Sequence, residues 1–397
     1  TMARMRGDDC QPRAMFSYVS AEERVPPDHP LRAIRTFVDE ILRAMTQEFD
    51  ALYAQHGRPS IPPERLLRAQ LLPLFYSSRS ERLLMEQLEY NILFRWFVGL
   101  EMDEPIWVPT VFTKNRDRLL QQAVAHRFFQ RVVARAADLM SDEHFTVDGT
   151  LLEAWASQKS FQRKDGDPNG DGRNFRGEAR KNDTHASKTD PDARLSRKSN
   201  NAEARLAYLG HLLMENRHGL IVDAQATVAD GYAEREAATT LLSTHWRHAP
   251  DRHRTVGADK AYDTAAFVEQ VRQIDMTPHV APNDTRRGGS AINARTTRHA
   301  GYAMSQSARP RIERAFGWLK TIAGVRKVKL RGIANVDALF VFASAAFNMA
   351  TSSSAHVVAY AWSGRSAPFR CKAKPSLPSP RPPATPRAYR FLHRRSQ

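Results

Sequence analysis

The sequence predicts an α/β domain preceded by an all-helical domain, and three observations carry that prediction. Apolar residues recur at helical spacing from Asp28 to Met140 with no strand-like alternation between. At His144-Phe-Thr-Val-Asp148 the period changes to a short β-like run. From there to about residue 350, short apolar runs alternate with helical patterns, which is the signature of strands and helices packed in layers.

The helical domain, 28–140, follows an N-terminal arm, 1–27, that is polar and carries little signal. Asp28 is a candidate N-cap ahead of Pro30, and Leu31, Ile34, Phe37, Val38, Ile41, Leu42 and Met45 then share one face. A second helix is expected from Ser60, with Pro62 and Pro63 in its first turn and Leu66, Leu67, Leu71 and Leu72 behind them. Ser78 and Glu81 have the spacing of a capping box, opening a third helix that runs through Leu83, Leu84, Leu88, Ile92 and Phe94. Thr110 starts a fourth, and Phe128 to Met140 reads as a fifth. Such helices either enter a major groove in the helix-turn-helix manner or only pack, and packing is the commoner outcome. The aromatics Phe75, Tyr76, Tyr90, Phe94, Trp96 and Phe97 suit a core or a dimer contact better than a base-stacking surface.

The α/β domain is expected over 141–350. Its first strand ends in Asp148, directly before Gly149. Residues 160–205 are rich in Lys, Arg, Asp, Asn and Gly and read as a long exposed loop. Within it Asp165, Asp167, Asn169, Gly170 and Asp171 imitate the start of a calcium loop, but Arg176 stands where a bidentate Glu is required, so calcium binding is not expected. A hairpin is predicted over 208–228 around Glu215-Asn-Arg-His-Gly219, then a helix from Ala233 to Trp246. Arg254-Thr-Val-Gly-Ala-Asp259 is a second β-like run ending in an acid, followed by a helix at 265–274, a strand at 277–281 and a loop at 283–301. The tail, 351–397, turns Pro- and Arg-rich, with no acid after residue 365, and reads as a basic disordered extension able to hold phosphates.

Charge narrows the partners. With 59 Lys and Arg against 43 Asp and Glu over 397 residues, the chain carries a formal net charge of +16. A polyanion is therefore expected to bind, and nucleic acid suits better than a membrane surface because no terminal amphipathic anchor or lipidation motif is present. The two cysteines, Cys10 and Cys371, lie in the polar terminal regions, so neither a disulfide framework nor a thiolate metal site is expected in the folded middle. That usage fits a reducing cytoplasm. The opening residues hold no hydrophobic signal segment, and the apolar run Ala338 to Ala350 is shorter than a bilayer span, so no membrane association is predicted.

The positive charge is densest at 305–331. At about 3.6 residues per turn Arg309, Glu313 and Lys320 share one stripe, beside an apolar stripe of Ile312, Phe316 and Leu319. Around that single acid stand Arg311, Arg314, Arg326, Lys327, Lys329 and Arg331. Such a helix is either a salt-bridged solvated face or a phosphate-binding one. Asp148 and Asp259 each end a short strand, where an Asp is most often a turn former or cap. If those strands are neighbours, the two acids and Glu313 could converge to hold two divalent cations for an in-line phosphoryl displacement.

Taken together these residues resemble the DDE transposases, specifically the IS5-like insertion-sequence group, from about Arg6 to about Met349. The most specific part is a C-terminal signature of Tyr, two residues, Arg, three residues, Glu, six residues, Lys. Arg309, Glu313 and Lys320 match at that spacing, while Gln306 stands at the Tyr position. Val147-Asp-Gly-Thr150, Val256-Gly-Ala-Asp259-Lys-Ala-Tyr262 and Glu313-Arg-Ala-Phe-Gly-Trp-Leu-Lys320 are also similar to the family, whereas nothing after Met349 is.

The resemblance implies an RNase H-like catalytic core behind the helical domain. It implies that Asp148, Asp259 and Glu313 are catalytic acids holding two Mg²⁺ ions, with Mn²⁺ able to substitute, and that Arg309 and Lys320 contact DNA. The partners it implies are the terminal inverted repeats of the element, target DNA and a second copy of the chain in a homodimer, in a bacterial cytoplasm close to the nucleoid. Arg311, Arg314, Lys327, Lys329 and Arg331 are the further DNA-binding candidates. Two rivals stand beside that reading: a nuclease on the same fold that does not join ends, and an inactive transposase-derived protein that only binds DNA.

Overall fold

The computed structural model describes residues 20–53, 56, 60–121, 123–166, 180–197, 202–246, 253–286 and 288–352. Up to residue 139 the described residues contain helices and no strand: α1 (Ala21–Arg24), α2 (Pro30–Ala44), α3 (Thr46–Leu52), α4 (Pro63–Tyr76), α5 (Glu81–Tyr90), α6 (Ile92–Val98), α7 (Pro109–Gln121) and α8 (Val124–Arg135). The expected helices are present with altered ends. His29, not Asp28, caps α2, its ring nitrogen accepting from the Leu31 amide. Ser80 rather than Ser78 caps α5 through the Leu83 amide. The predicted run through Phe94 breaks at Asn91, which closes α5 and caps α6 with its own side chain. Part of the polar arm is also structured: α1 places Glu22 where it accepts from the Trp96 indole.

The α/β part is a mixed sheet built from β1 (His144–Ala154), β4 (Arg194–Ser196), β5 (Arg205–Glu215), β6 (Ile221–Val228), β7 (Arg254–Ala258), β8 (Met276–Val280) and β9 (Lys327–Val328), beside a two-stranded ribbon of β2 (Phe161–Arg163) and β3 (His185–Ser187). Strand β1 is central. On one side it pairs antiparallel with β5, which pairs in turn with β6 and β4. On the other side it runs parallel to β7 near its start and to β9 near its end, and β8 lies parallel beyond β7. The hairpin expected at 208–228 is longer than the sequence indicates, because β5 is buried from Leu206 to Glu215 and reads as a continuous apolar run rather than an alternating one.

The polar segment 160–205 is not simply a loop: its described residues carry β2, β3 and β4. What orders them is a buried polar cluster. Asp190, fully buried, accepts from the Tyr208 hydroxyl at 2.6 Å and from the Gly332 amide at 3.1 Å, while Asp192 accepts from the Ile333 amide at 2.9 Å. Polar composition concealed a segment that a few of its polar groups anchor to β5 and to the start of α14. The calcium-like run Asp167 to Asp171 and the tail from residue 353 lie outside the described residues.

Helices cover both faces of the sheet. On one face α9 (Ala233–Trp246) and α10 (Ala265–Gln273) bury Leu241, Leu242, Trp246, Phe267 and Val271 against Phe145, Val147, Val256 and Ala258. On the other lie α11 (Ala294–Thr297), α12 (Ala300–Ala308), α13 (Pro310–Thr321) and α14 (Ile333–Ser352). The loop predicted at 283–301 therefore contains a helical turn, and Pro310 opens α13 directly after α12 ends. The apolar run Ala338 to Ala350 belongs to α14, whose 20 residues are long and apolar enough to cross a membrane by composition, yet 67% of that span is buried inside the protein. Its neighbours are β5 and β6 on one side and α2, α4, α7 and α8 on the other.

Candidate active site

The parallel ladder between β1 and β7 stops at Thr146 opposite Gly257. Continued by two residues, the same alignment sets Asp148 opposite Asp259, where the strands part. Strand β9 rejoins that edge of β1 only at Glu153 and Ala154. A gap thus opens beside Asp148 at the carboxyl end of β7, the kind of strand divergence at which α/β sheets place their ligands. The two aspartates that each end an apolar run in the sequence are brought together by strand register.

Each aspartate also makes a local bond. Asp148 accepts from the Gly149 amide at 2.8 Å, and Asp259 caps the 3₁₀ turn Lys260–Tyr262 by accepting from the Ala261 amide at 2.7 Å. The capping role expected of a strand-end Asp is therefore present at Asp259, but one carboxylate oxygen leaves the other free for other work. Burial pushes the Asp148 carboxyl up to about 7, with the like charges of Asp259 and Glu234 adding to it and the Gly149 amide and Arg309 opposing. Glu234 is raised too, by burial first and Asp259 second. Tyr262, 1% exposed, has its phenol held far above the usual range by burial and then by Glu234, Asp148 and Asp259. Three acids, rather than two, share this field.

Helix α13 brings the basic stripe. Side chains on a strand alternate faces, so Asp148 and Thr150 share one, and the Lys320 ammonium donates to the Thr150 hydroxyl at 2.5 Å. At the other end of the stripe Arg309 is close enough to Asp148 to oppose its raised pKa, and its guanidinium lies 3.9 Å from Glu313. Glu313 sits between them on the stripe, its side chain 61% exposed. Among the described residues no three His, Cys, Asp or Glu side chains are gathered tightly enough to be a ready metal cage. The donors on offer are nevertheless all carboxylate oxygens, the hard ligands that suit Mg²⁺ or Mn²⁺ and not a soft metal.

The other basic candidates divide. Arg311 is spent on the β5–β6 turn, donating to the carbonyls of Asn216 and Arg217. Lys329 donates to the Arg79 carbonyl, and Lys327 lies 5.3 Å over the Trp155 ring. Arg314 and Arg331 are exposed. Gln306, at the position of the expected Tyr, donates from its amide to the His279 carbonyl at 2.5 Å, tying α12 to β8.

A further acid near the pair, Glu234, is one that the sequence does not single out. It stands in the first turn of α9, where an acid ordinarily does no more than complement the helix dipole. In the fold it lies against Gly149, where a Cβ would meet Glu234 Cγ at 2.7 Å.

Comparison with known proteins bears on the whole arrangement. Residues 19–118 match a family described as "Transposase domain (DUF772)", and residues 141–349 match one described as "Transposase DDE domain". No curated protein matches the chain. Among solved structures, a piggyBac transposase synaptic complex with hairpin DNA is 10% identical with a TM-score of 0.38, over 82% of this chain and 75% of that one. A pre-cleavage Mos1 transpososome is 12% identical with a TM-score of 0.19, over 83% and 98%. Likenesses of that size add nothing to the argument, but the DDE match spans more than half of the sequence and contains Asp148, Asp259 and Glu313 together: the chain belongs to the DDE transposase family.

Proposed function

We propose that this protein is an IS5-like transposase that binds the terminal inverted repeats of its own insertion sequence as a homodimer, cleaves the strand there and joins the freed 3′-OH to target DNA. The observation that carries the reading is the register that sets Asp148 opposite Asp259 where β1 and β7 part, with the Arg309, Glu313 and Lys320 stripe along the same strand. The order β6, β5, β1, β7, β8, antiparallel up to β1 and parallel beyond it, supports an RNase H-like core.

Asp148, Asp259 and Glu313 would hold the Mg²⁺ ions. When bound there, such ions activate the attacking oxygen and stabilise the leaving one. Arg309 and Lys320 position phosphates along β1, and Arg309 also tempers the charge on Asp148. The helices between residues 20 and 139 read the element's ends, and the exposed cations after Glu313 hold the backbone.

The test is a strand-transfer assay with Mg²⁺ and labelled DNA carrying the element's ends, comparing wild type with Asp148→Ala, Asp259→Ala and Glu313→Ala. Each variant should bind the ends and lose cleavage and joining, by at least about a thousandfold if the acids act as one unit. Wild-type protein that cleaves without ever joining would make it a nuclease. Binding with no cleavage would make it a DNA-binding derivative.

A further inference from the structure

The acid that the three-residue reading leaves unused is Glu234. Its side chain makes no hydrogen bond or ion pair among the described residues, although it is half-buried. An acid serving only the helix dipole should face the free amides of its own first turn. Instead its carboxylate lies against the backbone of residue 149, next to Asp148.

Gly149 explains how that is possible. Its φ is not in the left-handed region, so the backbone conformation does not call for glycine. What calls for it is space: a Cβ would sit 2.7 Å from Glu234 Cγ and 2.8 Å from Oε1. The bare α-carbon beside Asp148 is thus a cradle for the Glu234 carboxylate. Asp148 lies on the α13 face of β1 and Glu234 meets the same strand from the α9 face, and the charge of Asp259, just past the end of β7, acts on both.

We propose that Glu234 is a fourth acid of the active site, helping Asp148 and Asp259 to hold the divalent cation, and that Gly149 exists to admit it. This rests on the transposase reading given above, because that reading supplies the cation. A carboxylate brought by a helix on the opposite face gives the site oxygen donors on both sides of the gap, whereas the Glu313 side chain is 61% exposed on α13. Divalent cations of this kind keep several waters and accept a few carboxylates in loose array, so a fourth acid need not displace the other three.

The experiment is a Mn²⁺ titration of the full-length protein without DNA, with free Mn²⁺ followed by its paramagnetic resonance signal. Glu234→Gln should weaken Mn²⁺ binding about tenfold or more, the range typical of residues that support a metal site. Gly149→Ala, which pushes the Glu234 side chain away, should weaken it similarly, and the double variant should be no worse than Glu234→Gln alone. Glu234→Asp should recover part of the loss. Unfolding midpoints near wild type for Glu234→Gln keep the readout separate from folding. If Asp148→Asn abolishes binding while Glu234→Gln binds as wild type does, Glu234 has no part in the site and the proposal is wrong. If Asp148→Asn itself binds Mn²⁺ like wild type, the metal reading falls, and the assignment of Glu234 falls with it.

Discussion

Asp148 carries a charge that the fold is worse off for holding. Its carboxyl titrates near 7 in the folded protein against an ordinary value of 3.8. Between those values the folded chain keeps a proton that the unfolded chain has released, so stability is greatest at the acid end and declines as pH rises through the interval. Asn in its place keeps the shape and discards the charge. Asp148→Asn should therefore be more stable than wild type by about 1–3 kcal/mol at pH 8 in metal-free buffer, and nearly equal to it at pH 4. Denaturant unfolding at both pH values measures this, and an identical difference at the two would show that charge burial is not the cause. If the proposed site holds, a residue of it that costs stability is a trade of stability for function. The same scale shows what the sequence could and could not reveal. Asp148 and Asp259 were legible because each follows an apolar run. Glu234 was not, because a first-turn acid needs no special explanation, and its contact with Gly149 crosses 85 positions of sequence.

At the scale of elements, α14 is the piece on which helical and sheet parts meet. Asp337 shows how: one carboxylate oxygen accepts from the β6 amide of Ala226 at 2.6 Å, and the other lies 2.9 Å from His126 on α8. Lower down, the Asn348 side chain both accepts from the Ile221 amide at 2.8 Å and donates to the Ile221 carbonyl at 2.7 Å, in full burial. Asn348→Ala strands both backbone groups and should cost about 2–3 kcal/mol. Gly210 on β5 lets the helix approach, since a Cβ there would meet the Phe340 ring at 2.7 Å. Gly210→Ala should cost about 1–3 kcal/mol by overpacking a rigid ring. Urea unfolding tests both, and a wild-type midpoint in either variant would mean that α14 can shift on the sheet. The helices themselves were readable from their periodicity. Their ends were less so: Ser78 and Ser80 are equally good caps, and at α2 the packed geometry uses His29 although Asp28 is the better capping residue by type. The pairing of β1 with β7 was out of reach, since register between strands more than 100 residues apart leaves no mark in either one.

Across the whole molecule the positive charge is unevenly spent. In the helical part it is largely neutralised at home: Arg68 pairs with Asp39 at 2.8 Å, Arg127 and Arg131 share Glu48, Arg135 meets Glu40 at 2.9 Å, and Arg32 is tied to Glu22. Beyond Glu313 the pattern reverses. Arg314, Arg326 and Arg331 are exposed, and their side chains have no acidic partner among the described residues. Net charge alone implies a polyanion; its distribution implies where the polyanion lies, along α13 and the segment that leads through β9 to α14. Each cation that meets a phosphate releases condensed counterions, so it contributes close to one unit to the slope of log affinity against log salt. Arg314→Ala and Arg331→Ala should each flatten that slope by about 1 on duplex DNA of any sequence, whereas Arg32→Ala, already paired, should leave it unchanged. Fluorescence anisotropy over a series of KCl concentrations reads the slopes directly. Equal flattening by all three would mean that the protein's overall field, and not a located groove, holds the DNA. No change in the Arg314 and Arg331 variants would move the phosphate path away from α13 and leave the Arg309 to Lys320 stripe without its continuation.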